Sequence, residues 1–151
     1  MSGTAQDEDK DEAEIRGLAA WSRALKAKDL DGLAAAYAPD VLLFDLKPPF
    51  RMRGVEAMRS VWAACLPRFP AKLKSEHRDF EVTVGGDAAF AHCLHRMVPI
   101  DETSRADETW MRVTLCYRKI AGAWQVVHEH VSVPFDSVTG RVAYITDADM
   151  L

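Results

Sequence analysis

From Glu12 to Lys28 the apolar residues Ile15, Leu18, Ala19, Trp21 or Ser22, and Leu25 recur at intervals of three and four, the spacing of an amphipathic helix. Asp7, Glu8, Asp9, Asp11 and Glu12 gather at its start and Lys26 and Lys28 at its end, as the helix dipole favours. Asp29-Leu30-Asp31-Gly32 interrupts the pattern. A short second helix is predicted over about residues 31–37, with Leu33 and Ala36 inward. It stops at Ala38-Pro39-Asp40, because the residue before a proline is disfavoured in helix. Residues 41–46 read as a short apolar strand holding a single carboxylate, Asp45. The proline pair Pro48-Pro49 makes 47–54 a loop. A third helix is predicted over 55–66, with Val55, Met58, Val61 or Trp62, and Cys65 on one face and Pro67 and Pro70 beyond its end.

The period then changes from 3.6 to 2. Phe80, Val82 and Val84 alternate with Glu81 and Thr83, and Gly85-Gly86-Asp87 supplies a turn. Further strands are predicted over 88–100, 108–120 and 123–133, with a polar loop at 101–107 and a tight turn at Ala121-Gly122. Helices first and antiparallel strands afterwards define an α+β domain. Strands this long must twist and curve, so the expected architecture is a curved antiparallel sheet wrapped around the N-terminal helices, a cone-shaped barrel with a pocket. Residues 1–10 read as a flexible acidic lead-in, 11–136 as the domain, and 137–151 as a polar tail with an apolar patch at Val142–Ile145.

At 151 residues the chain is sized for one hydrophobic core. Its apolar share of 48% and charged share of 28% fit a globular protein and exclude disordered and fibrous classes. A formal charge of −4 leaves no basic excess for a nucleic-acid partner. No stretch approaches the ~20 apolar residues that span a bilayer. Met1 to Glu14 is acidic where a signal peptide would be basic and then apolar. Cys65, Cys93 and Cys116 are too scattered for a disulfide framework or a zinc knuckle and read as reduced thiols. A cytoplasmic protein is expected.

The order of elements resembles the nuclear-transport-factor-two-like superfamily with its cystatin-like fold. Within it, the likeness is to the SnoaL-like group, which includes ketosteroid isomerases, polyketide cyclases and the association domain of calcium/calmodulin-dependent kinase. It covers about residues 11–135 and is carried most visibly by Gly122-Ala123-Trp124-Gln125-Val126-Val127-His128-Glu129-His130-Val131-Ser132. A second likeness, to the steroid isomerase layout, runs from Trp21 through Tyr37-Ala38-Pro39-Asp40, Asp45, Gly54 and Trp62. It places Asp45 at the general-base carboxylate, Trp21 at an oxyanion-holding tyrosine and Trp62 at a pocket aromatic. The second oxyanion acid falls near Leu115, where Thr114, Leu115 and Cys116 offer none. Losing one such donor costs on the order of a hundredfold to a thousandfold in rate.

The candidate catalytic groups are Asp45 and Glu129. A carboxylate in Val-Leu-Leu-Phe-Asp-Leu keeps apolar company, which raises its pKa and suits it to accept and return a proton; the plainer reading is a strand-end Asp bonded to nearby backbone. By the resemblance, Glu129 and Val131 face the pocket while His128 and His130 face the outer side of the sheet. Glu129 is then the one charge among Val127, Val131 and Val133, and buried carboxylates are seldom without a partner or a task. The same register sends Ala91, Cys93, His95 and Met97 inward from one strand and Met111, Val113, Leu115 and Tyr117 from another. Trp21, Trp62, Cys93, His95, Val113, Leu115, Tyr117 and Val131 are therefore the candidate ligand-binding wall, an apolar surface with a few convergent polar groups. No cofactor and no metal are implied; His95 or His92 could add a ligand to the H-x-H pair, but no carboxylate follows at a suitable spacing on its face, which Ser132 and Pro134 occupy.

The expected function is binding of a small, largely apolar organic ligand, with acid/base catalysis by Asp45. The alternatives are an association module without catalysis and an isomerase- or cyclase-like enzyme. A homodimer through the outer sheet face is expected, since Trp110, Trp124, Val126 and Cys116 would otherwise leave that face apolar and exposed.

Overall fold

The computed structural model describes residues 4–18, 21–100 and 109–151. Its first helix, α1 (Ala5–Leu18), begins earlier than the apolar pattern predicts. Thr4 and Asp7 explain this. The Thr4 hydroxyl accepts from the Asp7 amide, while the Asp7 carboxylate accepts from the Thr4 amide, each at 3.3 Å, a reciprocal cap that satisfies two helix-end donors. Two short helices follow, α2 (Trp21–Ala27) and α3 (Leu30–Ala34); the helix expected over 12–28 passes through residues 19 and 20, which lie outside the described residues. Asp29 caps α3 by accepting from the Gly32 amide at 3.1 Å.

Strand β1 (Tyr37–Phe44) takes in Tyr37 and ends before Asp45, and β2 (Arg51–Arg53) lies within the expected loop. Helix α4 (Val55–Cys65) starts from Gly54, whose φ of 92° suits only glycine and whose amide donates to the Val41 carbonyl at 2.7 Å. Strands β3 (Leu73–Gly85), β4 (Ala88–Pro99), β5 (Met111–Ile120) and β6 (Ala123–Ser132) complete one six-stranded sheet, ordered β2-β1-β6-β5-β4-β3. Both residues of the β5–β6 turn, Ala121 and Gly122, have positive φ, as a two-residue hairpin that follows the strand twist requires.

Two expectations change. The sheet is curled but unclosed, with β2 and β3 as its edges, rather than a barrel. It is also not wholly antiparallel, because β1 pairs with β6 in parallel. The chain reaches that pairing by passing from the helices directly into β1 beside the last strand.

The helices pack on the concave face. Ile15, Val41, Leu43, Met58, Tyr117, Trp124 and Val126 form the main core, and Leu25, Leu33, Leu66 and Leu73 a second cluster. Helix α1 is tied to the β5–β6 hairpin by polar contacts. Asp11 Oδ1 accepts from Lys119 Nζ and from Trp124 Nε1, each at 2.9 Å, and Glu14 accepts from the Trp124 amide at 3.2 Å.

Trp124 and Val126 correct the expected outer face. Cys116 is opposite His128, but Tyr117 is opposite Val126, so Val127 is an extra residue on β6. A bulge reverses the alternation beyond it. Trp124 and Val126 therefore point inward together with Glu129 and Val131, and Val127 does not share their ladder positions. Trp110 is not a free outer residue either. The segment after β6 folds back over it: the Trp110 amide donates to the Ile145 carbonyl at 2.8 Å, its indole donates to the Thr146 carbonyl at 3.2 Å, and Arg96 stacks 4.5 Å from its ring. The expected polar tail is thus held at Ile145 and Thr146 and buries Ala148, while most of its other residues are exposed. Among the described residues, no helix is long and apolar enough to cross a membrane.

Candidate functional site

Between the helices and the concave sheet lies a cavity of about 150 Å³. All ten candidate residues line it: Asp45 and Glu129, and with them Trp21, Trp62, Cys93, His95, Val113, Leu115, Tyr117 and Val131. Local structure explains their convergence. On β4 and β5 the plain alternation of a strand sends Cys93 and His95, and Val113, Leu115 and Tyr117, to one face. On β6 the bulge at Val127 sets the parity that turns Glu129 inward. Trp21 opens α2 and Trp62 lies on α4; their rings meet edge to face with centres 5.6 Å apart, the arrangement aromatic quadrupoles favour. Trp21 makes a second such contact with His95, also at 5.6 Å.

The centre of the polar set is a pair that the sequence reading did not single out. The Tyr37 hydroxyl donates to Glu129 Oε2. Tyr37 is 8% exposed and enters the cavity because β1 begins at this residue and places it opposite Val126. Taking 31–37 as helix hid it, since a residue at a helix end carries no strand parity. The available signal was its place just before Ala38-Pro39, where helix is disfavoured.

Electrostatics make Glu129 unusual. Burial pushes its carboxyl up to about 7, with the Asp45 charge adding to the rise and the Tyr37 hydrogen bond opposing it. Tyr37 is pushed well above the ordinary phenol range, first by burial and then by the Glu129 charge and the bond to it. Burial and Glu129 likewise push the Cys93 thiol up to about 12 and raise the Tyr117 phenol. His95 goes the other way: burial, helped by neighbouring His77, holds it down to about 3. It is a neutral imidazole, in contact with Ser75 Oγ through Nε2 at 2.7 Å and stacked on His77 with centres 4.4 Å apart. The cavity therefore contains one carboxyl poised near neutral pH and several neutral hydrogen-bonding groups, and Lys47 is the one Lys or Arg in its described lining.

Asp45 sits at the rim, one residue beyond β1. Its Oδ1 accepts from the Leu46 amide at 2.7 Å and its own amide donates to the Phe50 carbonyl at 2.8 Å. It thus combines both readings offered for it, a backbone-bonded strand-end carboxylate and a cavity-lining one. One donor in the wall has no partner: Trp21 Nε1 is buried without a hydrogen bond among the described residues, a costly state for an N–H unless a bound acceptor meets it. His128 and His130 lie on the opposite side, packed edge to face on Phe44, with His128 Nδ1 against the Leu42 carbonyl at 2.7 Å. Among the described residues, no group of three or more His, Cys, Asp or Glu side chains is arranged to hold a metal ion.

Comparison with known proteins places this geometry in a family. The SnoaL-like domain model matches residues 16–136, and the chain belongs to that family. It is similar to an NTF2-like protein of unknown function from Pseudomonas putida KT2440, at 35% identity over 90% of this chain and 95% of that one, with a TM-score of 0.83. A cystatin-like protein of unknown function from Nostoc punctiforme is similar at 25% identity over 89% and 96%, with a TM-score of 0.72. A protein of unknown function from Mycobacterium tuberculosis shares the fold at 18% identity over 97% and 86%, with a TM-score of 0.78. No curated protein matches the sequence.

Proposed function

We propose that the cavity binds a small, largely apolar organic molecule and performs acid/base chemistry on it, with Glu129 as the proton carrier, Tyr37 holding it and Asp45 as a second carboxylate at the rim. The observation that carries the reading is a carboxyl with a pKa near 7 inside an apolar wall, hydrogen-bonded to a buried phenol. A group that titrates near ambient pH both takes and returns a proton with least loss of driving force. Trp21 Nε1 is the donor suited to a ligand oxygen, such as a carbonyl that gains electron density when a neighbouring carbon loses its proton. An indole supports that charge without transferring a proton of its own. With Leu115 where the isomerase layout needs an acid, the chain has one neutral donor there rather than a strong oxyanion site. Modest proton abstraction is therefore expected, not full isomerase efficiency.

The test is α-proton exchange of a cyclic ketone, tetralone, in heavy water, followed by NMR. The wild type should exchange the α-protons faster than buffer, Glu129→Gln should abolish the excess, and Asp45→Asn should reduce it. Equal exchange by wild type and Glu129→Gln would remove Glu129 from the chemistry.

The same reading takes the protein as a homodimer in a reducing, cytoplasmic setting, in keeping with its three free thiols. With Trp124 and Val126 turned inward, the apolar outer residues that support self-association are Phe44, 37% exposed, and Phe90, 47% exposed. Sedimentation should then give about twice 16.8 kDa, and a species of single mass would remove the dimer.

A further inference from the structure

The charge of the lining changes sign beside the main cavity. The whole chain carries −4 and the main cavity is lined by two carboxylates, yet three cations gather around Phe69. Lys47 Nζ stands 5.7 Å from the centre of the Phe69 ring. Lys28 Nζ donates to the Phe69 carbonyl at 3.4 Å, and Arg68 precedes Phe69 in the chain. Lys28 and Arg68 make no ion pair among the described residues. The nearest acid in sequence, Asp29, is committed to the Gly32 amide as the cap of α3.

A second cavity of about 150 Å³ opens at this point. Lys47, Phe69 and Met97 line both cavities, Arg68 lines the second, and among the described residues no carboxylate lines the second. The two spaces are therefore neighbours across the Phe69 ring, one apolar with an acid interior and the other basic. A cleft lined by charges of one sign concentrates the field and raises the local population of the opposite sign.

We propose that the ligand is an amphiphilic organic anion whose apolar body lies in the main cavity and whose oxyanion head (carboxylate, sulfate or phosphate) sits in the second cavity on Lys47 and Arg68, with Lys28 behind them. This rests on the reading that the main cavity takes an apolar organic molecule. The orientation follows from charge. A head placed inward would meet both Glu129 and Asp45, with Lys47 the one Lys or Arg in the described lining. A head placed outward meets guanidinium and ammonium groups, which suit oxyanions. The apolar body then passes Phe69 and Met97 into the aromatic wall of Trp21 and Trp62.

Calorimetric titration of the full chain with octanoate and with octanol tests the assignment, because the two share a tail and differ in the head. Octanoate is expected to bind about fivefold to tenfold more tightly at low salt, and the advantage should shrink at about 0.3 M salt. The double variant Lys28→Gln, Arg68→Gln should bring octanoate close to octanol while octanol affinity moves by less than about twofold. Octanol binding as tightly as octanoate, or octanoate unaffected in the double variant, overturns the head-group assignment and leaves the apolar cavity standing. Binding of neither probe removes the cavity reading and this proposal with it.

Discussion

Replacing Glu129 by glutamine should make the protein more stable at alkaline pH and change little at acid pH. The carboxyl titrates at 4.5 in an ordinary setting and at about 7 in the fold. Below 4.5 it is protonated in both folded and unfolded chains and gives no difference. Between those values the folded state holds a proton that the unfolded state has released. Stability therefore falls as pH rises, and the full loss is present above the folded pKa. At 1.36 kcal/mol per pH unit the gap is worth roughly 3 kcal/mol, an upper figure because water entry and relaxation soften the cost of a buried charge. Glutamine keeps the shape and an oxygen for the Tyr37 hydroxyl while removing the charge. Urea unfolding of wild type and Glu129→Gln at about pH 5 and about pH 8 measures the effect. The variant should gain about 2–3 kcal/mol relative to wild type between the two conditions. The comparison also cancels the pH dependence of every other group, His95 included. Parallel stability profiles would refute the assignment of a perturbed carboxyl to this position.

Tyr37→Phe removes the bond that favours the ionised carboxylate, so the Glu129 titration, followed by carbon NMR of labelled glutamate, should move upward by roughly one pH unit; an unmoved midpoint would show that the pair is not coupled. His95 should make the fold acid-sensitive, because its pKa falls from 6.5 in the open chain to about 3 in the fold. That contribution is intact above 6.5 and lost as pH drops, by about 2 kcal/mol at about pH 5. His95→Gln should show a flatter acid limb in urea unfolding, and an equally steep one would contradict the buried neutral imidazole. Asp11→Ala leaves the buried Trp124 indole N–H and Lys119 without their shared acceptor, which should cost about 1–3 kcal/mol. A loss below about 0.5 kcal/mol would mean that the α1 clamp is not formed in solution.

The fold was largely legible because two simple periods carried it. Alternation along 88–100 and 108–120 set the inward faces of β4 and β5, and the three-four spacing of Val55, Met58 and Trp62 set α4. What escaped depended on features outside a period. The bulge at Val127 inserts one residue and reverses parity, so Trp124 and Val126 looked outward while Glu129, beyond the bulge, was placed correctly. The parallel pairing of β1 with β6 joins segments some ninety residues apart, and no local pattern encodes that choice. The return of Ile145 and Thr146 over Trp110 rests on their main-chain carbonyls, which polar composition conceals. At the site, Glu129 was visible as a lone carboxylate among valines. Tyr37 was not, because assigning it to a helix removed the strand geometry that aims its hydroxyl. The second cavity around Phe69 was equally hidden, since Lys28, Lys47 and Arg68 come together only in the folded chain.

The central claim, that the apolar cavity beneath the curled sheet receives an organic ligand, is tested most directly by filling it. Leu115 lines that cavity, and Leu115→Trp should occupy the space with the protein's own side chain. Calorimetric titration with octanol, beside a circular dichroism check that the variant is folded, should show saturable binding to the wild type and at least tenfold weaker binding to the variant. Equal octanol binding by both folded proteins, or none by the wild type, would contradict the account.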